Sequence, residues 1–237
     1  MDWMLGFAVH AVLLFNIFLG NNQLGIGEET PFQAQELNAI PAIEHLASAE
    51  NTFIEGKRED FRRFSQVVKD THKLEGLFAL YRNDIDGQVY LEIKPNQLNK
   101  NYLGTVTLES GLGESGVYSG LALQDFLFYF RRVNNRLHFT IRNVKFRTNP
   151  GEPEQRSLAR SFSDSVLYSL PIASIDPRNK NILIDLGDLL MQDFPGLTSL
   201  LKYSLREDYR LEENKSYFGE VNSFPLNVEA VSYTHLT

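Results

Sequence analysis

Two apolar segments separated by a pair of asparagines place the strongest constraint on how this chain folds. Residues 126–133 and 136–147 flank Asn134 and Asn135, and asparagine tolerates the left-handed backbone angles of a two-residue hairpin turn. Aromatic and β-branched pairs across such a hairpin each contribute roughly 0.2–1 kcal/mol relative to alanine pairs. The register that follows pairs Phe130 with Phe139 and Phe128 with Ile141.

The remaining patterns predict an α+β class that is β-rich, with a mostly antiparallel sheet and a few short helices. Apolar residues at helical spacing begin a helix at residue 59, and Gly76 is expected to end it. A loop at residues 83–87 joins two strands as a second hairpin. Late in the central hairpin the alternation of apolar and polar residues shifts by one position, which predicts a β-bulge at Arg142 or Asn143. Strands are predicted at residues 77–82, 88–94, 102–108, 166–175, 181–186 and 224–228, and helical turns at residues 95–100 and from Pro195.

Composition restricts the classes of function. The chain has 237 residues, with 30 acidic side chains against 23 Lys and Arg, and a formal net charge of −7. An acidic net charge disfavours a general nucleic-acid binder, so no nucleic-acid partner is expected. The absence of cysteine excludes disulfides, thiolate metal sites and a cysteine nucleophile from these residues.

The N-terminal segment predicts export. Residues 5–19 form a mostly apolar run of signal-peptide length, although His10 and Asn16 interrupt it and no Lys or Arg precedes it. The run is too short for a stable membrane span. We therefore expect a signal peptide at residues 1–20, with a buried helix as the alternative, and a periplasmic or extracellular location. Residues 21–58 are polar and poorly patterned, which predicts a poorly ordered linker.

The last eight residues resemble a translated sequencing artefact. Residues 231–237 read VSYTHLT, which is similar to one reading frame of the transposase adapter end used in DNA library preparation. The codon before them would consist of one base of the sequenced DNA followed by CT from the adapter. An alanine codon has this form, which is consistent with Ala230. Residues 230–237 are therefore expected to lie outside the natural chain. Residues 59–229 would then form an incomplete domain that is truncated at its C-terminus, with an exposed strand edge at residues 224–228.

The motifs that suggest chemistry are each incomplete. Residues 111–116 match G-x-G-x-x-G, but the sequence after them does not open the helix that would hold a pyrophosphate. Residues 84–87 resemble part of a calcium loop, but Arg and Ile occupy the positions of its first and last carboxylate ligands. The Ser and Asp side chains at residues 161–165 and His138 come without a nucleophile elbow, and the histidines form no H-E-x-x-H motif. We therefore predict no catalytic, cofactor-binding or metal-binding residues in this chain.

Four segments, taken in order, resemble one protein family. They read FSQVVKDTHKLEGLFALYRNDIDGQVYLEI (64–93), DFLFYFRRVNNRLHFTIRNVKFR (125–147), RSLARSFSDSVLYSLPI (156–172) and ILIDLGDLL (182–190). Together they are similar to the N-terminal, non-catalytic region of large bacterial secreted zinc-dependent metalloproteases, a region catalogued as domains of unknown function.

The resemblance implies that the intact protein is an exported zinc-dependent endopeptidase that acts on proteins or peptides. In that family an H-E-x-x-H-x-x-G-x-x-H box binds zinc through histidine, and its glutamate activates the bound water. The box lies downstream of the matched region and is missing here. No zinc ligand can therefore be assigned to a residue of this chain, and this fragment is predicted to be inactive. We expect a scaffold or docking domain whose partner is the missing C-terminal catalytic domain of the same chain.

The alternative is a stand-alone exported β-rich binding module. The basic hairpin at residues 131–147 would be its anion-recognition face, because residues 126–149 contain no acid. The same charges would also suit a solvent face or contacts with acidic parts of the same chain. The basic residues are Arg131, Arg132, Arg136, Arg142, Lys145 and Arg147.

Overall fold

The computed structural model describes residues 9–19, 61–110, 116–145, 161, 163–193 and 196–237. Within them the chain forms a seven-stranded sheet of order β11-β12-β1-β5-β6-β7-β8 and a five-stranded sheet of order β2-β3-β4-β10-β9. The described strand pairs are antiparallel, which confirms the predicted class. The strands are β1 (Val9–Leu19), β2 (His72–Leu74), β3 (Ala79–Arg82), β4 (Val89–Ile93), β5 (Tyr102–Ser110), β6 (Leu121–Val133), β7 (Arg136–Ile141), β8 (Ser165–Pro171), β9 (Ser174–Ile175), β10 (Ile182–Asp185), β11 (Tyr217–Ser223) and β12 (Asn227–Leu236).

The predicted central hairpin is confirmed as β6 and β7. Phe130 pairs with Phe139, as the two-asparagine turn requires. The predicted bulge is wrong, because β7 ends at Ile141. The backbone N–H of Asn143 donates instead to Asp164 Oδ1 at 2.8 Å, so a carboxylate at the start of the next strand draws the chain out of the ladder. Residues 146–160 lie outside the described part.

The second predicted hairpin is formed by β3 and β4, and Gly87 supplies a φ of 74° in its loop. Strand β4, which lies within the strand predicted at residues 88–94, is buried on both faces. The outer face is covered by helix α1 (Phe64–Val67), which packs Val67 against Tyr81 and Tyr90. The helix predicted from residue 59 to Gly76 is thus much shorter, since residues 72–74 pair with β3 instead.

The main core lies between the inner faces of the two sheets. Phe78, next to β3, meets Tyr102 at a ring-centroid distance of 4.9 Å and Phe130 at 5.9 Å. Gly76 allows the β2–β3 loop to approach β11, because a Cβ atom there would lie 2.7 Å from the backbone nitrogen of Phe224. The Leu77 N–H donates to the Phe224 carbonyl at 2.7 Å, which links the two sheets at this point.

Two further helices cover the inner face of the seven-stranded sheet. Helix α2 (Gly187–Leu190) contributes buried leucines to the core. Helix α3 (Leu197–Leu205), in the region predicted to be helical from Pro195, buries Leu197 and Leu201. Its first turn is held by Asp193, whose Oδ1 accepts the Leu197 N–H at 2.7 Å. A carboxylate at this end also suits the helix dipole.

The two ends of the described chain lie side by side in the larger sheet. Val9–Leu19 forms a strand between β12 and β5, so the buried-helix alternative is wrong. The expected exposed edge at residues 224–228 is also wrong, because β12 lies between β11 and β1. The signal peptide at residues 1–20, the domain at residues 59–229 and the artefactual origin of residues 230–237 stay predictions. Residues 21–58 and 111–115 lie outside the described part.

Candidate functional site

The basic hairpin carries a network of polar side chains at its base. Arg142 lies with its guanidinium carbon 4.9 Å from the Tyr129 ring centroid, and its Nε donates to Asn101 Oδ1 at 2.7 Å. Asp164 accepts the Tyr129 hydroxyl at 3.1 Å and lies 3.9 Å from Arg142 Nη1. Burial, followed by the charge and hydrogen bond of Asp164, raises the pKa of Tyr129. Arg142 therefore holds β7 to β5 and β8 instead of facing solvent as a free cation.

The other basic residues of the hairpin divide into two groups. Arg136 is used within the sheet, because its guanidinium donates to the Ser169 hydroxyl at 3.1 Å and also to the Ser169 carbonyl. Arg131, Arg132 and Lys145 are exposed, and Arg132 Nε donates to the Asn134 carbonyl at 3.0 Å within the turn. Arg147 lies outside the described residues. The anion-recognition face of the alternative hypothesis is thereby reduced to Arg131, Arg132 and Lys145.

The structure does not bring the serine, histidine and aspartate candidates together in the described residues. His138 stands opposite Ser169 across the β7–β8 pair, whereas Ser165 stands opposite Ile141. The Asp164 carboxylate is committed to the Tyr129, Asn143 and Arg142 contacts, which leaves it no role in orienting an imidazole. A Ser-His-Asp site requires all three groups within hydrogen-bond reach.

His72 and His138 lie in different sheets, whereas His10 and His235 stand opposite each other in the register of β1 and β12. His72 lies on β2, with its Nδ1 atom 3.0 Å from Asp84 Oδ2. His138 lies on β7, at the other sheet. In the part of the chain that the structure describes, no three His, Asp or Glu side chains are grouped to hold a metal ion.

A buried polar cluster, which the sequence patterns did not reveal, lies on the outer face of the five-stranded sheet. Glu92 is 4% exposed and accepts hydrogen bonds from the Tyr81 hydroxyl at 2.8 Å and from the Asn181 amide. Lys73 Nζ lies 3.6 Å from the same carboxylate and 5.4 Å from the Tyr81 ring centroid. We call Lys73, Tyr81, Glu92 and Asn181 the Glu92 cluster. Its members come from β2, β3, β4 and the residue before β10.

The pKa values of two members of the Glu92 cluster are raised. Burial, with the hydrogen bond and the charge of Glu92, raises the pKa of Tyr81 to about 12. Burial alone would lower the pKa of Lys73, but hydrogen bonds to Glu75 and Tyr81 and the charge of Glu92 outweigh it and raise that pKa. A tyrosine that keeps its proton and a lysine that keeps its charge are poor general bases and nucleophiles at neutral pH.

Comparison with known proteins gives one match. Residues 120–237 match the model of a family described as a domain of unknown function, DUF5117. The matched stretch runs from the start of β6 to the end of β12 and contributes strands to both sheets, so its first residue does not mark a boundary between structural units. The curated proteins and the solved structures contain no match. Among the described helices, none combines the length and apolar character needed to cross a membrane.

Proposed function

We propose that this chain is the non-catalytic N-terminal scaffold or docking domain of an exported zinc-dependent metalloendopeptidase. The H-E-x-x-H half would lie in the missing C-terminal part, which would also be its principal partner. The resemblance of four ordered segments supports this role, and the DUF5117 match is compatible with it.

One structural observation carries the proposal. Among the described residues, the carboxylates of the buried Glu92 and the half-buried Asp164 make contacts that hold strands together. Glu92 is bound by Tyr81 and Asn181 in the smaller sheet, and Asp164 is bound by Tyr129 and the backbone of Asn143 in the larger one. Fully satisfied polar networks of this kind rigidify a fold.

Metal content and peptidase activity of the whole chain test the proposal. After dialysis against a chelator and then against limiting zinc, we expect no stoichiometric zinc by elemental analysis and no cleavage of unfolded protein substrates. The double variant His72→Gln/His138→Gln should behave identically and serves as the matched control. Tight one-to-one zinc that this double variant loses would overturn the non-catalytic assignment.

The identity of the intact protein has a direct genetic test. A transposase-free long read of the source DNA across the codon for Glu229 should continue in frame into a region that encodes H-E-x-x-H. A frame that encodes VSYTHLT and then stops would contradict both the artefact interpretation and the metalloprotease assignment, and would leave the binding-module hypothesis.

The binding module remains a second candidate because Arg131, Arg132 and Lys145 stay exposed on the hairpin. It would bind an acidic polysaccharide in a salt-sensitive manner, since exposed charge pairs are screened beyond about 10 Å at 0.1 M salt. Neutralising these three residues should abolish retention on heparin. Lys202→Gln, which removes an exposed lysine on α3, is the control. Equal retention of both variants would exclude this function.

A further inference from the structure

Strand β1 fills the space between two strands that are far from it in sequence. It is antiparallel to β12 on one side and to β5 on the other. Asn16 stands opposite Glu229 of β12 and opposite Thr105 of β5. Strand β1 therefore occupies a strand-wide site whose two walls are both formed by the body of the fold.

The side chains of β1 complete the main core as well as the ladder. Phe15 and Ile17 are buried, at 4% and 7% exposure, on the face that meets α2. With Phe128 and Leu189 they line a cavity of only about 20 Å³, close to the space that one water molecule needs. Asn16, which interrupts the apolar run, lies between them in sequence and is only half-buried, on the opposite face of the sheet. This alternation of buried and half-buried side chains is typical of a strand. The apolar stretch of a signal peptide does not require such an alternation.

We propose that the gap between β5 and β12 is a strand-binding site whose occupant is the chain's own Val9–Leu19, retained in the folded protein as an N-terminal arm. This inference does not use the zinc or peptidase assignment, but it takes residues 230–236 of β12 as part of the folded chain. A segment that is cleaved off after residue 20 cannot also hold this place, so export of the intact protein would then not depend on removing residues 1–20.

Two arguments favour the chain's own strand over an empty site or a second copy. Without β1, the edges of β5 and β12 would expose unpaired backbone groups beside Val106, Leu108 and Val228, which are at most 2% exposed. The connection through residues 20–60 keeps the arm on the same molecule, and effective concentrations of tethered segments are on the order of mM. A second copy at micromolar concentration competes poorly with that value.

Paired cysteines in the whole chain test the location of the arm, because the natural sequence has no cysteine to interfere. Residues directly opposite in antiparallel strands lie within the roughly 4.4–6.8 Å between Cα atoms that a disulfide spans. We expect Asn16→Cys/Thr105→Cys and Asn16→Cys/Glu229→Cys each to form an intramolecular disulfide with oxidised glutathione, with the loss of two hydrogen atoms per chain. Intact-mass analysis under non-reducing conditions measures that loss.

The matched control shifts one cysteine along the same face of β5. Thr107 stands opposite Leu14, two residues from Asn16, and such diagonal neighbours lie about 7–8 Å apart, beyond the reach of a disulfide. Asn16→Cys/Thr107→Cys should therefore stay reduced. Equal oxidation of all pairs, or of none, would overturn the proposal. A disulfide between two chains would overturn the assignment of the chain's own strand.

Retention is tested on the protein recovered from an export-competent bacterial host. We expect intact mass and N-terminal sequencing to show that residues 9–19 are present in the folded, protease-resistant product. Recovery of a stable, folded product that begins after residue 20 would refute retention. That outcome would leave the metal and genetic tests of the proposed function unaffected, so the two failures can be distinguished.

Discussion

The two cores of this fold are held together in different ways. The main core, between the sheets, is built from rings in mutual contact, with Phe128 lying 4.7 Å from Phe139 and 5.5 Å from Phe130 between centroids. The smaller core, under α1, surrounds the buried carboxylate of Glu92 with hydrogen-bond donors and one lysine. One core therefore depends on apolar area and packing, and the other on directed polar contacts.

This difference shows what each region contributes to the fold. Apolar burial is large but weakly directional, so the main core supplies most of the stability while tolerating small shifts. A buried carboxylate is stable only with its partners in place, so the smaller core fixes the positions of β2, β3, β4 and β10 relative to one another. Substitutions in the two cores should separate these contributions.

The largest effect is expected at the centre of the aromatic core. Phe128→Ala removes a fully buried ring that contacts four other aromatic side chains, and such truncations cost about 3–5 kcal/mol of unfolding free energy. Urea unfolding measures the loss. Leu103→Ala, on the neighbouring strand at 38% exposure, is the control and should cost less than about 1 kcal/mol. Similar losses in the two variants would contradict the location of the core.

A smaller but still large effect is expected when the buried carboxylate is removed. Glu92→Ala leaves the Tyr81 hydroxyl and the Asn181 amide without their acceptor, which should cost about 2–3 kcal/mol. Glu92→Gln keeps an acceptor oxygen and should cost less. Glu75→Gln removes the exposed partner of Lys73 and should change stability by less than about 1 kcal/mol. If Glu92→Ala were as mild as Glu75→Gln, the cluster would not contribute to stability.

The Tyr81 hydroxyl gives the polar core a pH signature. Its pKa is raised from 10.0 to about 12, so the folded state keeps a proton that the unfolded state has lost in this interval. The contribution of this retained proton to the free energy of unfolding is complete below pH 10 and is lost as the pH rises towards 12. Tyr81→Phe should cost about 1.5 kcal/mol at neutral pH and make the alkaline decline of stability shallower.

Tyr102 provides the internal comparison for that experiment. Burial raises its pKa to about 12 as well, so it contributes a second decline in the same pH range from within the aromatic core. Tyr81→Phe should therefore reduce the alkaline slope of the unfolding free energy without abolishing it. An unchanged slope, or phenolate absorbance near pH 10 that the folded protein shows and the folded Tyr81→Phe variant lacks, would show that the Tyr81 proton is not held by Glu92.

The sequence predicts the local parts of this fold and misses the distant ones. The β6–β7 register follows from two adjacent asparagines and alternating aromatics, all within a short stretch. Strand β1 was missed because its nearest partners are β5 and β12, and its short apolar run is equally typical of a signal peptide. The Glu92 cluster was missed for the same reason. Lys73 and Asn181 both contact Glu92, but only because strands that are distant in sequence are neighbours in the sheet.

The smallest expected effect concerns two buried serines, one near each core. Ser174 Oγ donates to the Arg62 carbonyl at 2.6 Å beside α1, so Ser174→Ala should cost about 1 kcal/mol. Ser232 faces the main core from β12 with no exposure, and among the described residues its hydroxyl has no hydrogen-bond partner. An unsatisfied buried hydroxyl is unfavourable, so Ser232→Ala should be neutral or slightly stabilising. A loss of stability equal to that of Ser174→Ala would show that the Ser232 hydroxyl is satisfied, and that the main core also depends on a directed polar contact.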